Sequence, residues 1–413
     1  MEKSSDNGLL IRHECPQCGA PITLLEDDRM FCCAYCRVKL FLSGRDFFRF
    51  TIPPAEDVQG EIFYVPYWRF KGLAYTVVPF EVSGKYMDQT SLAFGSGSFP
   101  ATLGFRTQVL TLRFLSPDAA GRFLPTNVPI SDAFTLVEGH AGGDANMLHH
   151  AFVGRTASMI YAPVYDRDGT IYDAVLKRPL SARTPAIAEA LRTAATRADW
   201  SVEFLSTLCP ECGWQLTGEN ESAIFICGNC VSVWEVSGGA LRRVECIIAP
   251  GGDEGLFYAP FWRISVGTKV IDLRTYGDFA RAVNLPKAIK PEWERQELFF
   301  WFPAFKTSPD YFLRIATLLT IDQPQVVNDE KRIWTGRQSF AAVSLRAQEA
   351  ANGLKAALAK IAPKKLYPDL PAAELTLKNA QIVLLPFRQT GAEFVEVNLN
   401  FRMPRNVFIT NRA

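Results

Sequence analysis

Eight of the ten cysteines fall into two sets of one pattern. Cys15-Pro16-Gln17-Cys18-Gly19 is followed by Cys33-Ala34-Tyr35-Cys36. Cys209-Pro210-Glu211-Cys212-Gly213 is followed by Cys227-Gly228-Asn229-Cys230. Both read C-x2-C-x14-C-x2-C, and they are offset by 194 residues. Two close pairs of thiolates joined by a short hairpin form a closed tetrahedral shell, the donor set of structural zinc. The glycine after each first pair permits the positive-φ turn that lets backbone amides face the sulfurs. The spacing therefore predicts one metal ion per set, Zn2+ first and two per chain. Iron is the alternative, since rubredoxin-like sites use the same knuckle, though with longer loops. Thioredoxin-like redox chemistry is the weaker rival, because a second CxxC at ribbon distance speaks for metal.

Two cysteines are left over. Cys32 aligns with Ile226 and Cys246 with Ile52, so both are expected as buried small apolar residues. His13 precedes Cys15, but Thr207 stands at the matching place, which argues against a ligand role.

Catalytic constellations are sparse. The four histidines are His13, His140, His149 and His150. The last three flank a Gly-rich stretch, Glu138-Gly139-His140-Ala141-Gly142-Gly143-Asp144, read as a surface loop ahead of a second metal site or catalytic loop. No P-loop, G-x-S-x-G, dinucleotide fingerprint or H-E-x-x-H occurs. A four-cysteine shell leaves no coordination position to activate water. The expectation is a protein without enzymatic activity.

The elements that position these cysteines come in two copies. Cys15 to Arg69 aligns without a gap on Cys209 to Arg263, ending in Phe63-Tyr64-Val65-Pro66-Tyr67-Trp68-Arg69 against Phe257-Tyr258-Ala259-Pro260-Phe261-Trp262-Arg263. Further on, Ile160–Val164 matches Val383–Phe387 and Ile171–Val175 matches Phe394–Asn398, all with strand character. The predicted fold class is α+β and β-rich: two tandem units, each a four-cysteine ribbon followed by a mixed β/α domain. The expected boundaries are ribbon 1 at 13–50, domain 1 at 51–183, a helical linker at 184–206, ribbon 2 at 207–246 and domain 2 at 247–413. Thr184-Pro185 opens the linker helix and Ser308-Pro309 a helix through Leu319. The Ala-rich run Ser344–Ile361 reads as another helix.

In the aromatic block, alternation sets Phe63, Val65 and Tyr67 against Tyr64, Pro66 and Trp68. A proline inside the strand suggests an edge or a bulge. Two roles compete. The block docks ribbon to body, with Arg69 and Arg263 stacked on aromatics or paired to carboxylates. Alternatively Tyr64, Trp68, Arg69, Tyr258, Trp262 and Arg263 form an exposed edge that binds a partner. Leu298 to Phe305, with five aromatics in eight residues, reads as core.

The chain has 413 residues, 48% hydrophobic and 21% charged, with a net charge of +1. Such a balance gives no general attraction to phosphate backbones. Ribbon 2 is acidic, with Glu211, Glu219, Glu221, Glu235 and Glu245 against Arg242 and Arg243. Single-stranded nucleic-acid binding, which the repeated aromatics would suit, is therefore the second reading. No N-terminal leader is apparent, and no apolar run approaches the roughly 20 residues of a membrane span. The expectation is a cytoplasmic protein, with peripheral membrane association left open.

The order of two knuckles and then Tyr64-Val65-Pro66-Tyr67-Trp68, repeated with Tyr258-Ala259-Pro260-Phe261-Trp262, resembles uncharacterised bacterial zinc-ribbon proteins. Their knuckles are often labelled primosomal-helicase-like or transcription-factor-like, and a YVPFW-type strand opens a β-rich domain. The resemblance covers about the first third of each unit. It implies a bacterial, cytoplasmic zinc-ribbon protein with Cys15, Cys18, Cys33, Cys36, Cys209, Cys212, Cys227 and Cys230 as ligands. A helicase activity would need a Walker A sequence, which is missing. The leading reading is a non-catalytic adaptor or assembly factor with unidentified protein partners.

Overall fold

The computed structural model describes residues 9–95, 99–104, 111–139, 146–251, 255–327, 339–399 and 401–408. His140 and the rest of 140–145 lie outside the described residues.

The chain opens with two hairpins, β1 (Leu10–Glu14) with β2 (Pro21–Leu25) and β3 (Met30–Cys32) with β4 (Lys39–Ser43). β5 (Arg49–Thr51), β6 (Ile62–Val78), β7 (Glu81–Leu92), β8 (Leu112–Phe114) and β9 (Arg122–Phe123) follow. Then come α1 (Ile130–Gly139), β10 (His149–Arg167), β11 (Thr170–Asp173), β12 (Pro179–Ala182), α2 (Pro185–Thr193) and β13 (Glu203–Ser206). One ten-stranded sheet runs β12-β11-β10-β5-β8-β1-β2, with β6 joining β10 to β7 and β9. β6 is apolar on both faces because both are covered, so it departs from simple alternation.

The second half has β14 (Leu216–Thr217), β15 (Ile224–Cys227), β16 (Val233–Ser237) and β17 (Ala240–Val244) as one small antiparallel sheet. β18 (Cys246–Ile248), β19 (Phe257–Lys269), β20 (Phe300–Pro303), β21 (Ser339–Phe340), β22 (Glu374–Thr390), β23 (Glu393–Glu396) and β24 (Arg402–Pro404) form a seven-stranded sheet. Helices α3 (Tyr276–Ala282), α4 (Pro309–Asp322), α5 (Ala347–Ala351) and α6 (Leu354–Ile361) sit among these strands in sequence. The fold is β-rich with some helix.

Registers repeat between the halves. β6 lies antiparallel on β10 with Trp68 opposite Met159, and β19 lies on β22 with Trp262 opposite Ile382. Each long pair has a bulge, at Gly154/Thr156 and at Leu377/Asn379. Trp68 and Trp262 donate their indole N–H to the carbonyls of Val128 and Leu345.

Several expectations are corrected. The block strands are central, not edges. Pro66 sits between the partners of Tyr64 (on β9) and Tyr67 (on β7), where no strand N–H is required, and Pro260 lies likewise between β21 and β20. The linker 184–206 is helical only over α2, where Thr184 caps the Ile187 amide; β13 is a strand paired with β4. The proposed edges at 50/51 and 246/247 cut through β5 and β18, and 13 cuts through β1. The Ala-rich run breaks at Asn352-Gly353 into α5 and α6.

The two larger segments also share a core. Tyr75, Val77, Val82, Ala151 and Val153 from the β6–β7–β10 arm pack with Trp262, Phe312 and Leu354. Tyr75 donates its hydroxyl to the Pro309 carbonyl at 2.9 Å. Residues 51–183 and 247–413 therefore share one core, although each half also has a cluster of its own, around Phe50 and Ile160 in the first and around Phe261 and Val383 in the second. Among the described residues no helix is long and apolar enough to cross a membrane.

Candidate metal centres

Each knuckle is closed by its backbone. The amides of Gly19, Arg37, Gly213 and Val231 donate to the carbonyls of Cys15, Cys33, Cys209 and Cys227 respectively. These four donors all have positive φ, between 61° and 72°. Glycine adopts it freely at Gly19 and Gly213, whereas Arg37 and Val231 bear a left-handed conformation that costs roughly 1–2 kcal/mol per residue. The knuckle geometry thus overrides local preference twice.

These turns bring together all eight cysteines expected from the spacing. Within each set the sulfurs lie within 4.8 Å of one another. Cys15–Cys36 and Cys18–Cys33 Sγ atoms are 3.8 Å apart, Cys209–Cys230 3.6 Å and Cys212–Cys227 3.5 Å. Tetrahedral zinc with bonds of about 2.3 Å holds its sulfurs about 3.8 Å apart. A disulfide would need about 2.05 Å. The donors and spacing fit a metal ion at both places. Among the described residues no further cluster of histidine, cysteine and carboxylate ligands has such geometry.

In both shells the first cysteine of each pair is buried and the second exposed: Cys15, Cys33, Cys209 and Cys227 face inward. The Cys36 amide leads in holding the Cys33 thiol down at about 6, against burial. Burial pushes the Cys209 thiol up, but the Ser232 hydroxyl and the Cys212 amide outweigh it and bring it to about 7. Within each shell one thiol is thus drawn down toward neutral pH, the direction that favours metal capture.

The shells differ in their surroundings. Ser232 Oγ accepts from the Trp234 indole N–H at 2.7 Å and lies 3.2 Å from Cys209 Sγ and 3.0 Å from Cys230 Sγ. Its own proton is left for a sulfur. Val38 holds the matching place in the first set and offers no hydroxyl. Outer hydrogen bonds of this kind typically change metal affinity by roughly 10–100-fold. Ser232→Ala is expected to lower the affinity of the second centre by a factor in that range and leave the first within about two-fold, read by chelator competition. Unchanged affinity would mean the hydroxyl does not donate to the thiolates.

The remaining cysteines depart from expectation. Cys32 is exposed, whereas its counterpart Ile226 faces the large core with Ile224 and Val233. Cys246 is half-buried. The amides of Ile52 and Ala249 bond the carbonyls of Tyr161 and Leu384, so the structural counterpart of Ile52 is Ala249, three residues beyond the gapless match. His13 stacks on Phe204 at 5.4 Å, outside the metal set. His149 and His150 are adjacent in β10, hence on opposite faces, and burial pushes His149 down to about 4.

The aromatic block is interior. Tyr64, Trp68, Arg69, Tyr258 and Trp262 are buried, and only Arg263 is half-exposed. The expected partner-binding edge is therefore not exposed, and the six residues serve packing. Arg263 stacks over Phe299 at 4.5 Å and donates to Gln381.

Arg69 pairs with carboxylates, one of the two roles its place in the block allows, with partners the sequence did not identify. Its guanidinium meets Glu26 at 2.5 Å and holds Asp88 through two bonds of 2.9 and 3.0 Å. Lys71 joins Glu26 at 2.6 Å and Asp27 at 3.1 Å. Lys306 reaches Asp27 at 3.7 Å and also pairs with Glu221. Burial opposes the charge on Arg69, and Glu26 and Asp88 more than offset it, so its pKa is raised. This buried spine connects the β2–β3 turn of the first ribbon, β6, the segment after β20 and the second ribbon.

Comparison of the chain with protein-family models, with curated proteins and with solved structures gives no match.

Proposed function

We propose that this chain is a non-catalytic, cytoplasmic protein of two tandem zinc-ribbon units that acts as a protein-interaction adaptor or assembly factor. The observation that carries the reading is the pair of four-thiolate clusters, each half-set into a hydrophobic interior. A metal ion held by four cysteines has no open position for water or substrate, so its role is to hold shape. The tandem arrangement is supported by the matching strand registers, bulges and indole hydrogen bonds of the two halves.

Charge disfavours nucleic acid as the partner. The second ribbon is acidic, and affinity for phosphate backbones comes mainly from lysine and arginine contacts. The test is affinity purification of the tagged full chain from its host, with and without nuclease, with metal measured on the same sample. Proteins that co-purify regardless of nuclease, together with two zinc ions per chain, are the expected result. Partners lost on nuclease treatment would replace this reading with single-stranded nucleic-acid binding.

A further inference from the structure

We infer that the two metal centres are energetically coupled, so that loading of the first raises the metal affinity of the second. This rests on both cysteine sets holding metal. Three connections run between the ribbons, and the first two reach the ligands of the second centre.

The first is a shared strand pair. β13 precedes Cys209 as β1 precedes Cys15, although β1 runs up to its cysteine and β13 ends three residues short of its own. β1 pairs with its own hairpin partner β2. β13 instead gives all four of its residues to β4 of the first ribbon, Glu203 opposite Ser43 through Ser206 opposite Leu40. Thr207 extends the contact, donating its hydroxyl to the Lys39 carbonyl at 3.3 Å. Cys209 thus follows a strand whose partner among the described residues is β4, and β4 begins three residues after Cys36.

The second is a shared core. Met30 and Phe41 of the first ribbon pack in one cluster with Cys209, Cys227, Phe225 and Trp234. Phe41 and Phe225 have ring centroids 4.1 Å apart. The third is a turn-to-turn contact, in which the Asn220 carbonyl accepts the amides of Arg29 at 2.6 Å and Met30 at 2.9 Å.

The two centres are not equally supported. Cys15 and Cys33 pack in the large core with Phe50, Trp68 and Trp200, so the first shell leans on the main sheet. Cys209 and Cys227 pack in the small cluster that the first ribbon completes, while Ile224, Ile226 and Val233 of the same strands reach the core around Trp262. Small ribbons are ordered largely by their metal. Without metal at Cys15, Cys18, Cys33 and Cys36 the β3–β4 hairpin loosens, and β13, Met30 and Phe41 lose their fixed positions against the second shell. Linkage makes the coupling factor equal in both directions.

The experiment uses the full-length chain and a chelator series. Loss of metal is read by alkylation of Cys212 and Cys230, and separately of Cys18 and Cys36, all exposed thiols on distinguishable peptides. In Cys18→Ser/Cys36→Ser, the second centre is expected to release metal at a free-metal concentration at least about ten-fold higher than in the unmodified chain, within the usual range of site coupling. In Cys212→Ser/Cys230→Ser the first centre shifts by the same factor. Phe41→Ala keeps all eight ligands and should shrink the coupling, so the two centres titrate independently. A second-centre midpoint within two-fold of the unmodified value in Cys18→Ser/Cys36→Ser overturns the inference, as does a full shift retained when Phe41→Ala is added. A chain that binds fewer than two metal ions before any substitution would instead overturn the metal reading itself.

Discussion

Serine at Cys212 is expected to lower bound metal from two ions per chain to one and to unfold the second ribbon locally. That ribbon has strands of two to five residues, with Phe225, Trp234 and Val236 in the small cluster and Ile224, Ile226 and Val233 packed into the core around Trp262. Residues 210–215 and 217–220 of its knuckle and loop are exposed, so this packing does not reach them and cannot offset the entropy of ordering them. Metal binding to such ribbons contributes on the order of 10 kcal/mol to folding, far more than any other single contact here. Cys18→Ser is the corresponding test for the first ribbon. Its metal should also be lost, with less unfolding, because β1 and β2 are held by the main sheet through β8. Metal analysis of the purified variants decides the matter. Two ions retained in either variant would remove the assignment of these cysteines as ligands.

The second large effect is expected at Arg69. Arg69→Met keeps most of the side-chain volume but strips the positive charge from between Glu26 and Asp88. Arg69 and Glu26 are only 1% and 2% exposed, so Glu26 is left desolvated with Lys71 as its remaining partner. Breaking a buried pair in this way costs about 3–5 kcal/mol, because the surviving charge is uncompensated. Adding Glu26→Leu should recover a good part of the loss, since replacing both buried charges by apolar groups is often near neutral. Denaturant unfolding of the two variants measures this. A loss below about 1 kcal/mol in Arg69→Met would show that the spine is effectively solvated.

Arg69 and Arg263 stand at matching positions of the repeated block, yet only Arg69 is locked in a salt-bridge network. The difference lies in residues far away in sequence. Glu26 and Asp27 come from a turn in the first ribbon, Asp88 from β7, and Lys306 from beyond β20. Arg263 finds Gln381 and Phe299 instead. The aromatic block taught a similar lesson: its composition suited either an interface or a core. Alternation alone could not choose between them, because neighbouring strands and loops decide how many faces are covered.

The metal centres were the most legible part. A CxxC knuckle is local: four residues, one backbone turn and two thiols determine where both sulfurs go. A second knuckle fourteen residues on can reach the first by a short hairpin alone. The β-rich character, the capped starts of α2 and α4 and the buried Leu298–Phe305 run were likewise local matters of pattern and capping. Tertiary structure alone decided the non-local ones. β13 left its own ribbon to pair with β4, and the β6–β7–β10 arm joined the core around Phe312. Cys32 became exposed although its counterpart is buried. The physical reason is common to all three. A strand's open edge and an apolar face specify that something must cover them, but which distant segment does so is a competition among the whole chain's surfaces.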